Sequence, residues 1–293
     1  MDKNNAIEIT NFCKKYDGFS IDNLSFSVPK GSIMGFVGQN GAGKSTTIKA
    51  ILNIVKKDSG DIKIFGLDNV CDEKEIKDNI AVVYDSLPFP ETLNAKQLDN
   101  VLKYIFKEWD SKTYYEYLKR FNLPINRKLG KFSKGMKMKI QIATALSHNA
   151  KLLIMDEATA GLDPVVRNEM LDVFMEYMQD DEHSILMSSH ITSDLERIAD
   201  SVTFIHNGKL ILSGYKDDIL ASHAVIQCSK EMLKEISDEY IVSVRLNEFG
   251  ASVMVKDRAA CEQRYSGAIF DTANLDDILT YYVKGTNGKE WTM

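Results

Sequence analysis

The residues with the clearest chemical meaning form the pattern Gly-x4-Gly-Lys-[Ser/Thr], which is typical of a phosphate-binding loop. Gly38, Gly43, Lys44 and Ser45 match it. Backbone N–H groups of a glycine-rich turn can surround an anion, because glycine has no Cβ to block a close approach. Lys44 would reach the outer phosphates of a nucleotide, and the Ser45 hydroxyl would bind Mg²⁺. The spacing therefore predicts a site for a nucleoside triphosphate with Mg²⁺.

Two adjacent carboxylates, Asp156 and Glu157, directly follow the apolar run Leu152–Met155. Ligands of open α/β sheets bind at the carboxyl ends of the strands, which is where these acids would lie. Asp156 fits the carboxylate that positions Mg²⁺. Glu157 fits a general base that takes a proton from an attacking water or orients it. Taken alone, the pair fits a solvated loop equally well, but together with the phosphate loop it favours catalysis.

Two further residues have a chemistry that depends on context. His190 follows the run 184–189, and a lone histidine is usually structural. At a strand tip in an ATP site, however, it can contact the γ-phosphate or the attacking water. Ser133 is a good N-cap for a helix that runs to about His148, and a capped helix start is also an anion site in principle. Most such serines only cap, so Ser133 alone leaves the choice open.

The elements that must position these residues follow from hydrophobic patterning. Residues 6–30 predict short strands, and 88–150 predict a helical block in which one apolar stripe is expected to be core. That stripe is Leu98, Val101, Leu102 and Ile105. Apolar runs predict buried strands at 33–37, 80–84, 152–155, 184–189 and 201–206. After about residue 221, three strands (224–228, 240–246 and 251–256) and a final helix predict a small α+β appendage.

Composition excludes several classes of protein. The 293 residues are 44% hydrophobic and 27% charged, as in soluble globular proteins, and no run of 18 or more apolar residues predicts a membrane span. The first five residues are polar and no apolar segment follows, so we expect no secretory signal. A net charge of −6 argues against a broad nucleic-acid surface. The four scattered cysteines favour reduced, buried thiols in a cytoplasmic protein.

Over residues 1–220 the chain resembles the ATP-binding subunits of ABC transporters, because several motifs occur in the right order. Residues 38–46 match Walker A, 132–136 resemble the family signature, and 152–157 match Walker B with its catalytic glutamate. Ala160–Asp163 resembles the D-loop, His190 the switch histidine and Tyr16 the aromatic ring that stacks on adenine, although alone Tyr16 is more often ordinary packing. The expected nucleotide contacts are Tyr16, Gly38, Asn40, Gly41, Ala42, Gly43, Lys44, Ser45, Thr46, Ser133 and Gly135.

The chain departs from the family pattern at two places. The family usually has a glutamine before the helical block, where it binds Mg²⁺ and senses the membrane subunit; here the position is Asp85. A carboxylate can hold the metal directly or through water, but it cannot donate a hydrogen bond as an amide can. We therefore expect Ser45, Asp156 and Asp85 as metal ligands. In the signature, Lys134 and Met136 replace a glycine and a glutamine, whereas Ser133 and Gly135 remain.

The resemblance implies a fold, partners and an activity. The fold is an α/β P-loop NTPase (RecA-like) core with an antiparallel β subdomain, a helical signature subdomain at about 88–150, and a C-terminal accessory domain at 221–293. It implies ATP and Mg²⁺ as cofactors, a homodimer or heterodimer in which Ser133 and Gly135 complete the opposite site, and a separate transmembrane permease. The protein would lie at the cytoplasmic face of the membrane, without nucleic acid, in an exporter similar to the bacitracin-type and multidrug branch.

Two other functions compete with a transport ATPase. One is an ATPase of the same family that acts without a membrane channel, on ribosomes, DNA or cluster assembly. A single nucleotide-binding unit, no long coiled-coil insertion and no basic surface argue against it. The other is a regulatory module that binds nucleotide without hydrolysing it, against which Glu157 and His190 argue.

Overall fold

The computed structural model describes residues 4–248, 250–265 and 267–284, and it contains three sheets. The first is antiparallel, with strands in the order β2-β1-β4-β5. Its strands are β1 (Asn5–Tyr16), β2 (Phe19–Pro29), β4 (Ser59–Ile64) and β5 (Leu67–Asp68). The expected short strands at 6–30 are therefore two long ones, which pair with each other across a turn at Asp17-Gly18.

The second sheet contains the strands that lead to the predicted site residues, and its order is β10-β9-β3-β8-β7-β6. Its strands are β3 (Ile33–Val37), β6 (Ile80–Tyr84), β7 (Leu152–Asp156), β8 (Ser184–Ser189), β9 (Ser201–His206) and β10 (Lys209–Tyr215). All pairs are parallel except β9–β10, which form a hairpin with its turn at Asn207-Gly208. The carboxyl ends of the five parallel strands thus meet at one edge, as the apolar runs predicted.

Two cores lie on the two faces of this sheet. One face packs against the antiparallel sheet and helix α1 (Lys44–Ile51), with Phe36, Ile154 and Leu186 among its buried residues. The other face packs against the helical block, with Val37 and Met155 among its buried residues. Residues on neighbouring positions of a strand point to opposite faces. A strand that is buried on both faces needs a continuous apolar run, which explains why these strands were predictable.

The remaining helices cover the parallel sheet. The helices outside the helical block are α1 (Lys44–Ile51), α2 (Glu73–Asp78), α6 (Pro164–Tyr177), α7 (Thr192–Ile198) and α8 (Lys216–Ser222). The helical block contains α3 (Ala95–Ile105), α4 (Ser111–Arg120), a 3-10 turn (Leu129–Lys131) and α5 (Lys134–Ala145). Ser133 caps α5 by accepting a hydrogen bond from the Met136 N–H at 3.2 Å, as predicted, and α5 ends at Ala145 rather than near His148.

One expectation for the helical block is wrong. Leu98 and Leu102 of α3 are buried, but Val101 is 43% exposed and Ile105 is 61% exposed. The apolar stripe is wider than the face that α3 packs inward, so its two outer members lie at the surface. The cysteines also differ from expectation: Cys261 is buried, Cys71 is exposed, and the other two are intermediate.

The C-terminal appendage is a third, antiparallel sheet with the order β12-β13-β11-β14. Its elements are β11 (Ala224–Cys228), α9 (Lys230–Leu233), β12 (Ile241–Leu246), β13 (Ala251–Val255), α10 (Arg258–Arg264), β14 (Ile269–Thr272) and α11 (Leu275–Lys284). The three predicted strands and the final helix are present. The sequence missed α9, α10 and β14, all of which are seven residues or shorter.

The boundary near residue 220 stays a prediction. Helix α8 spans it, and the core on the helical side of the parallel sheet continues into the appendage, where Ile278 and Leu279 of α11 join Leu195 and Ile198 of α7. None of the helices in the described ranges combines the length and the apolar character that a membrane crossing requires.

Candidate nucleotide-binding site

The glycine-rich loop leaves β3 at Val37 and enters α1 at Lys44, as the pattern predicted. Gly41 and Gly43 have φ angles of +82° and +114°, a region that side chains rarely adopt. A Cβ on Gly38 would lie 2.4 Å from the carbonyl oxygen of Ile205, so only glycine fits there. The loop borders a pocket of about 400 Å³. Its described lining is Phe19, Gln39, Asn40, Gly41, Gly43, Lys44, Ser45, Thr46 and Glu157.

Lys44 places a positive charge at the centre of this loop. Its side chain is only 5% exposed, and its Nζ donates to the carbonyl oxygens of Gly38 at 2.6 Å and Gln39 at 3.2 Å. It also lies 3.0 Å from Oε1 of Glu157. A buried ammonium requires such partners. Phosphate oxygens can replace them, so the arrangement fits a triphosphate.

Asp156 ends β7 and receives two hydroxyl groups on one carboxylate oxygen. Ser45 Oγ donates to its Oδ1 at 3.1 Å, and Ser188 Oγ donates to the same atom at 2.8 Å. The described residues contain no group of three or more His, Cys, Asp or Glu that could hold a metal ion by themselves. Mg²⁺ is usually bound by one or two carboxylates with substrate phosphates and water. The converging oxygens of Ser45 and Asp156 therefore fit Mg²⁺ that is held jointly with a nucleotide.

Glu157 joins the phosphate loop to the predicted switch histidine. Its Oε1 contacts Lys44, and its Oε2 forms a short hydrogen bond with Nδ1 of His190. Its backbone N–H donates to Oγ of Ser188 at 3.1 Å, and its φ is +55°. A non-glycine residue in this conformation is strained, and such strain clusters at functional sites. The strained backbone aims the carboxylate at Lys44 and His190 together.

Ser133 and Gly135 do not line this pocket within the described part of the chain. Ser133 is exposed at the start of α5, and Gly135 is partly exposed. The nearest atoms to a Cβ on Gly135 would be the Val166 side-chain atoms at 3.5 Å, which is ordinary van der Waals contact. The two residues are therefore accessible to another molecule, which is compatible with their predicted role in a site completed across a dimer.

Tyr16 and Asp85 lie at the margins of the site. Tyr16 ends β1 with its ring 42% exposed, and Lys14 Nζ lies 5.5 Å from the ring centroid. An exposed ring at this place can accept a base, and that role stays a prediction. Asp85 follows β6, but its carboxylate contacts Lys134 Nζ at 2.6 Å. Its predicted role as a metal ligand also stays untested.

Sequence reasoning missed three residues of the site. Phe19 and Gln39 line the pocket, and Ser188 fixes both Asp156 and Glu157. Ser188 gave a weak signal, because two serines end an otherwise apolar strand. Phe19 gave none, since its approach to the loop depends on how the antiparallel sheet packs: its ring would lie 3.2 Å from a Cβ on Gly43.

The chain is similar in sequence and in fold to known proteins. The sequence model of the ABC transporter family matches residues 21–160. The chain is 36% identical to the bacitracin transport ATP-binding protein BcrA of Bacillus licheniformis, over 80% of this chain and 76% of the relative. It is 34% identical to the lantibiotic transport ATP-binding protein SrtF of Streptococcus pyogenes, over 70% and 89%. A solved ATP-binding subunit of an ABC transporter matches with a TM-score of 0.67 and 28% identity, over 74% of this chain and 92% of that one.

Proposed function

Since the chain belongs to the family of ABC transporter ATP-binding proteins, we propose that it hydrolyses ATP with Mg²⁺ and powers an exporter. The proposal is carried by the position of Glu157, which directly follows Asp156 and whose carboxylate contacts both Lys44 and His190. The names of the relatives that transport bacitracin and lantibiotics favour export of a drug, an antimicrobial peptide or a similar compound.

Each residue of the site has a different role in hydrolysis. When ATP binds, the Lys44 ammonium group contacts the outer phosphates instead of the loop carbonyls and Glu157. The Glu157 carboxylate is then free to accept a proton. Bound Mg²⁺, held by Ser45 and Asp156, would neutralise charge on the β- and γ-phosphates. A water then attacks the γ-phosphorus, the bond to the bridging oxygen breaks, ADP leaves, and the water proton passes to Glu157. His190 holds Glu157 and contacts the γ-phosphate or the water.

We propose that two copies, or this chain and a related one, close over two ATP molecules. Ser133 and Gly135 of one subunit would face the γ-phosphate bound at the other subunit's loop, because their N–H and hydroxyl groups open to solvent at a helix start. ATP would then bind the closed dimer better than the open monomers, and that difference drives closure. Loss of the γ-phosphate lets the dimer reopen.

A separate membrane subunit would couple this closure of the dimer to transport. The expected partner surface is an apolar cleft of about 710 Å³ between the parallel sheet and the helical block. Exposed Ile54 and Ile105 border it, together with Phe89 and Phe106. An exposed apolar cleft of this kind is typical of a protein interface, and a helix of the permease is the occupant we propose. The protein would then lie at the cytoplasmic face of the membrane.

The first test is the rate of ATP hydrolysis by the purified protein with Mg²⁺. We expect Glu157→Gln to lower kcat by about 100-fold or more, because the base is lost, and to accumulate an ATP-bound dimer in size-exclusion chromatography. Glu116→Gln, the same change at an exposed helix position, is the control and should keep wild-type turnover. Wild-type turnover by Glu157→Gln would show that another group is the base.

Ser133→Arg tests the role across the dimer. The larger, charged side chain should abolish dimer formation and turnover but leave ATP binding by the monomer intact, because Ser133 does not line the pocket of its own chain. Binding is measured with a fluorescent ATP analogue. Loss of ATP binding itself by the monomer would contradict the proposed role.

A further inference from the structure

The two places at which the chain departs from the family pattern touch each other. Asp85 is the first residue after β6, and Lys134 is the first residue of α5. Asp85 Oδ1 lies 2.6 Å from Lys134 Nζ, and both side chains are about half exposed, at 54% and 46%. These positions are separated by 49 residues in sequence, so the contact comes from the fold.

A second contact fastens the same face of α5 to the same end of β6. Gln141 is buried, its Oε1 accepts from the Tyr84 N–H at 3.1 Å, and its Nε2 donates to the Tyr84 carbonyl at 3.2 Å. Gln141 and Lys134 are seven residues apart, about two helical turns, and therefore share one face. Gln141 fixes the middle of α5, and Lys134 fixes its first turn.

Lys134 also reaches the loop that follows Glu157. A Cβ built on Gly161, whose φ is +69°, would lie 3.1 Å from Lys134 Nζ. The ammonium group thus pairs with Asp85 and lies next to this loop. Three segments of the predicted catalytic machinery meet at one side chain: the end of β6, the turn that carries Ser133 and Gly135, and the loop after Glu157.

The charges explain why neither residue is favourable alone. Tyr84 pairs with Asp156 in the ladder of β6 and β7, so Asp85 lies at the sheet edge where the triphosphate would bind. An unpaired Asp85 carboxylate there repels phosphate. An unpaired Lys134 lies at a helix N-terminus, where the helix dipole disfavours positive charge. The positive charge of Lys134 offsets the repulsion between Asp85 and phosphate, and the negative charge of Asp85 offsets the unfavourable interaction of Lys134 with the helix dipole.

We propose that Asp85 and Lys134 act as one positioning pair that holds the first turn of α5 over the nucleotide edge of the sheet, so that losing either residue impairs turnover as much as losing both. This inference rests on the proposed ATPase function. It differs from a direct metal role for Asp85, because a metal ligand would be needed whatever residue stands at position 134.

The test is a double-mutant cycle with Asp85→Asn and Lys134→Gln, which remove charge at nearly constant size. We expect each single variant to lower kcat/KM for ATP about fivefold, Lys134→Gln mainly through a higher KM. The double variant should be impaired no more than the single variants, because each of them has already lost the contact, and Lys134→Arg should keep wild-type values. Losses that multiply in the double variant would overturn the proposal.

A matched control exists on the same helix. Lys137 Nζ lies 2.6 Å from Glu91 Oε1, and Glu91 lies in the segment between β6 and α3 rather than at the end of β6. Lys137→Gln and Glu91→Gln should change kcat/KM by less than about twofold, singly and together. Thermal unfolding of each variant monitors folding; if a single variant does not fold, Asp85→Glu with Lys134→Arg carries the test and should retain turnover. A wild-type protein that does not hydrolyse ATP would refute the proposed function rather than the pair.

Discussion

At the scale of residues, the carboxyl end of β7 is organised by a residue that carries no charge. Ser188 donates to Asp156 Oδ1 and accepts from the Glu157 N–H. It is fully buried, so water cannot replace it. The predicted metal ligand and the predicted base are therefore oriented by one hydroxyl group on the neighbouring strand.

We expect Ser188→Ala to lower the apparent affinity for Mg²⁺ and the turnover about 10- to 100-fold, which is typical for loss of a residue that orients a metal ligand. The measurement is ATP hydrolysis as a function of Mg²⁺ concentration. Ser189→Ala is the control: Ser189 is buried in the same strand, but among the described residues its hydroxyl group forms hydrogen bonds only with the backbone of Ile191. An unchanged half-maximal Mg²⁺ concentration in Ser188→Ala would show that Asp156 does not depend on this hydrogen bond.

Spacing and position along the chain were sufficient to predict Lys44, Ser45, Asp156 and Glu157, because each belongs to a local pattern at a strand end. The pattern does not contain Ser188 or Phe19, which reach the site through strand order and through packing of the antiparallel sheet. These depend on contacts between distant segments. A single sequence contains little information about such contacts.

At the scale of elements, α5 and the turn after it are the main connection between the helical block and β6. Beyond Gln141, His148 follows α5 and contacts the Ile80 carbonyl with Nε2 at 3.2 Å and the Thr144 carbonyl with Nδ1 at 3.1 Å. Its ring stacks on Phe106, with centroids 4.0 Å apart. Burial lowers the pKa of His148, although the two carbonyl contacts act in the opposite direction.

This pKa shift predicts that the protein loses stability as the pH falls below about 6.5, where the unfolded chain takes up a proton at His148 that the folded chain resists. Burial lowers the pKa of His223 in the same direction. The free energy of unfolding, from urea titrations at pH 5.5 and 7.5, should therefore be smaller at pH 5.5. His148→Gln should weaken this dependence, and His148→Gln with His223→Gln should weaken it further. An equally steep dependence in the double variant would contradict the assignment.

The elements that the sequence predicted well are those with a strong local signal. Strands buried on both faces read as apolar runs, and the bounds of β3, β6, β8 and β9 follow directly from them. The stripe of α3 was misjudged because the sequence does not reveal how wide a face the fold covers. Ile105 instead borders the cleft that we propose for the membrane subunit.

At the scale of the whole molecule, the appendage packs against the nucleotide-binding part and is not joined to it by a linker alone. The Leu275 N–H of α11 donates to Glu196 Oε1 of α7 at 2.6 Å, and Lys216 Nζ donates to the Glu196 carbonyl at 2.9 Å. Helix α7 follows His190 by one residue. The sequence predicted the appendage and its approximate start. It did not reveal this shared core, because residues from α7 and α11 that meet there are about 80 positions apart.

Because this core is shared, a destabilising substitution in the appendage should lower the stability of the nucleotide-binding part as well. Ile278 is fully buried in the cluster that contains Leu195, so Ile278→Ala should lower the free energy of unfolding by about 2–5 kcal/mol through lost contacts and a cavity.

The fluorescence of Trp109, in the helical block, reports unfolding of the nucleotide-binding part. Trp291 lies outside the described residues and is replaced by phenylalanine in all variants. We expect Ile278→Ala to lower the midpoint of the Trp109 transition in urea. Ile269→Ala, at a strand position that is 67% exposed, should leave it unchanged. If Ile278→Ala leaves the midpoint of the Trp109 transition unchanged, the two parts unfold independently, as separate domains divided near residue 220 would do.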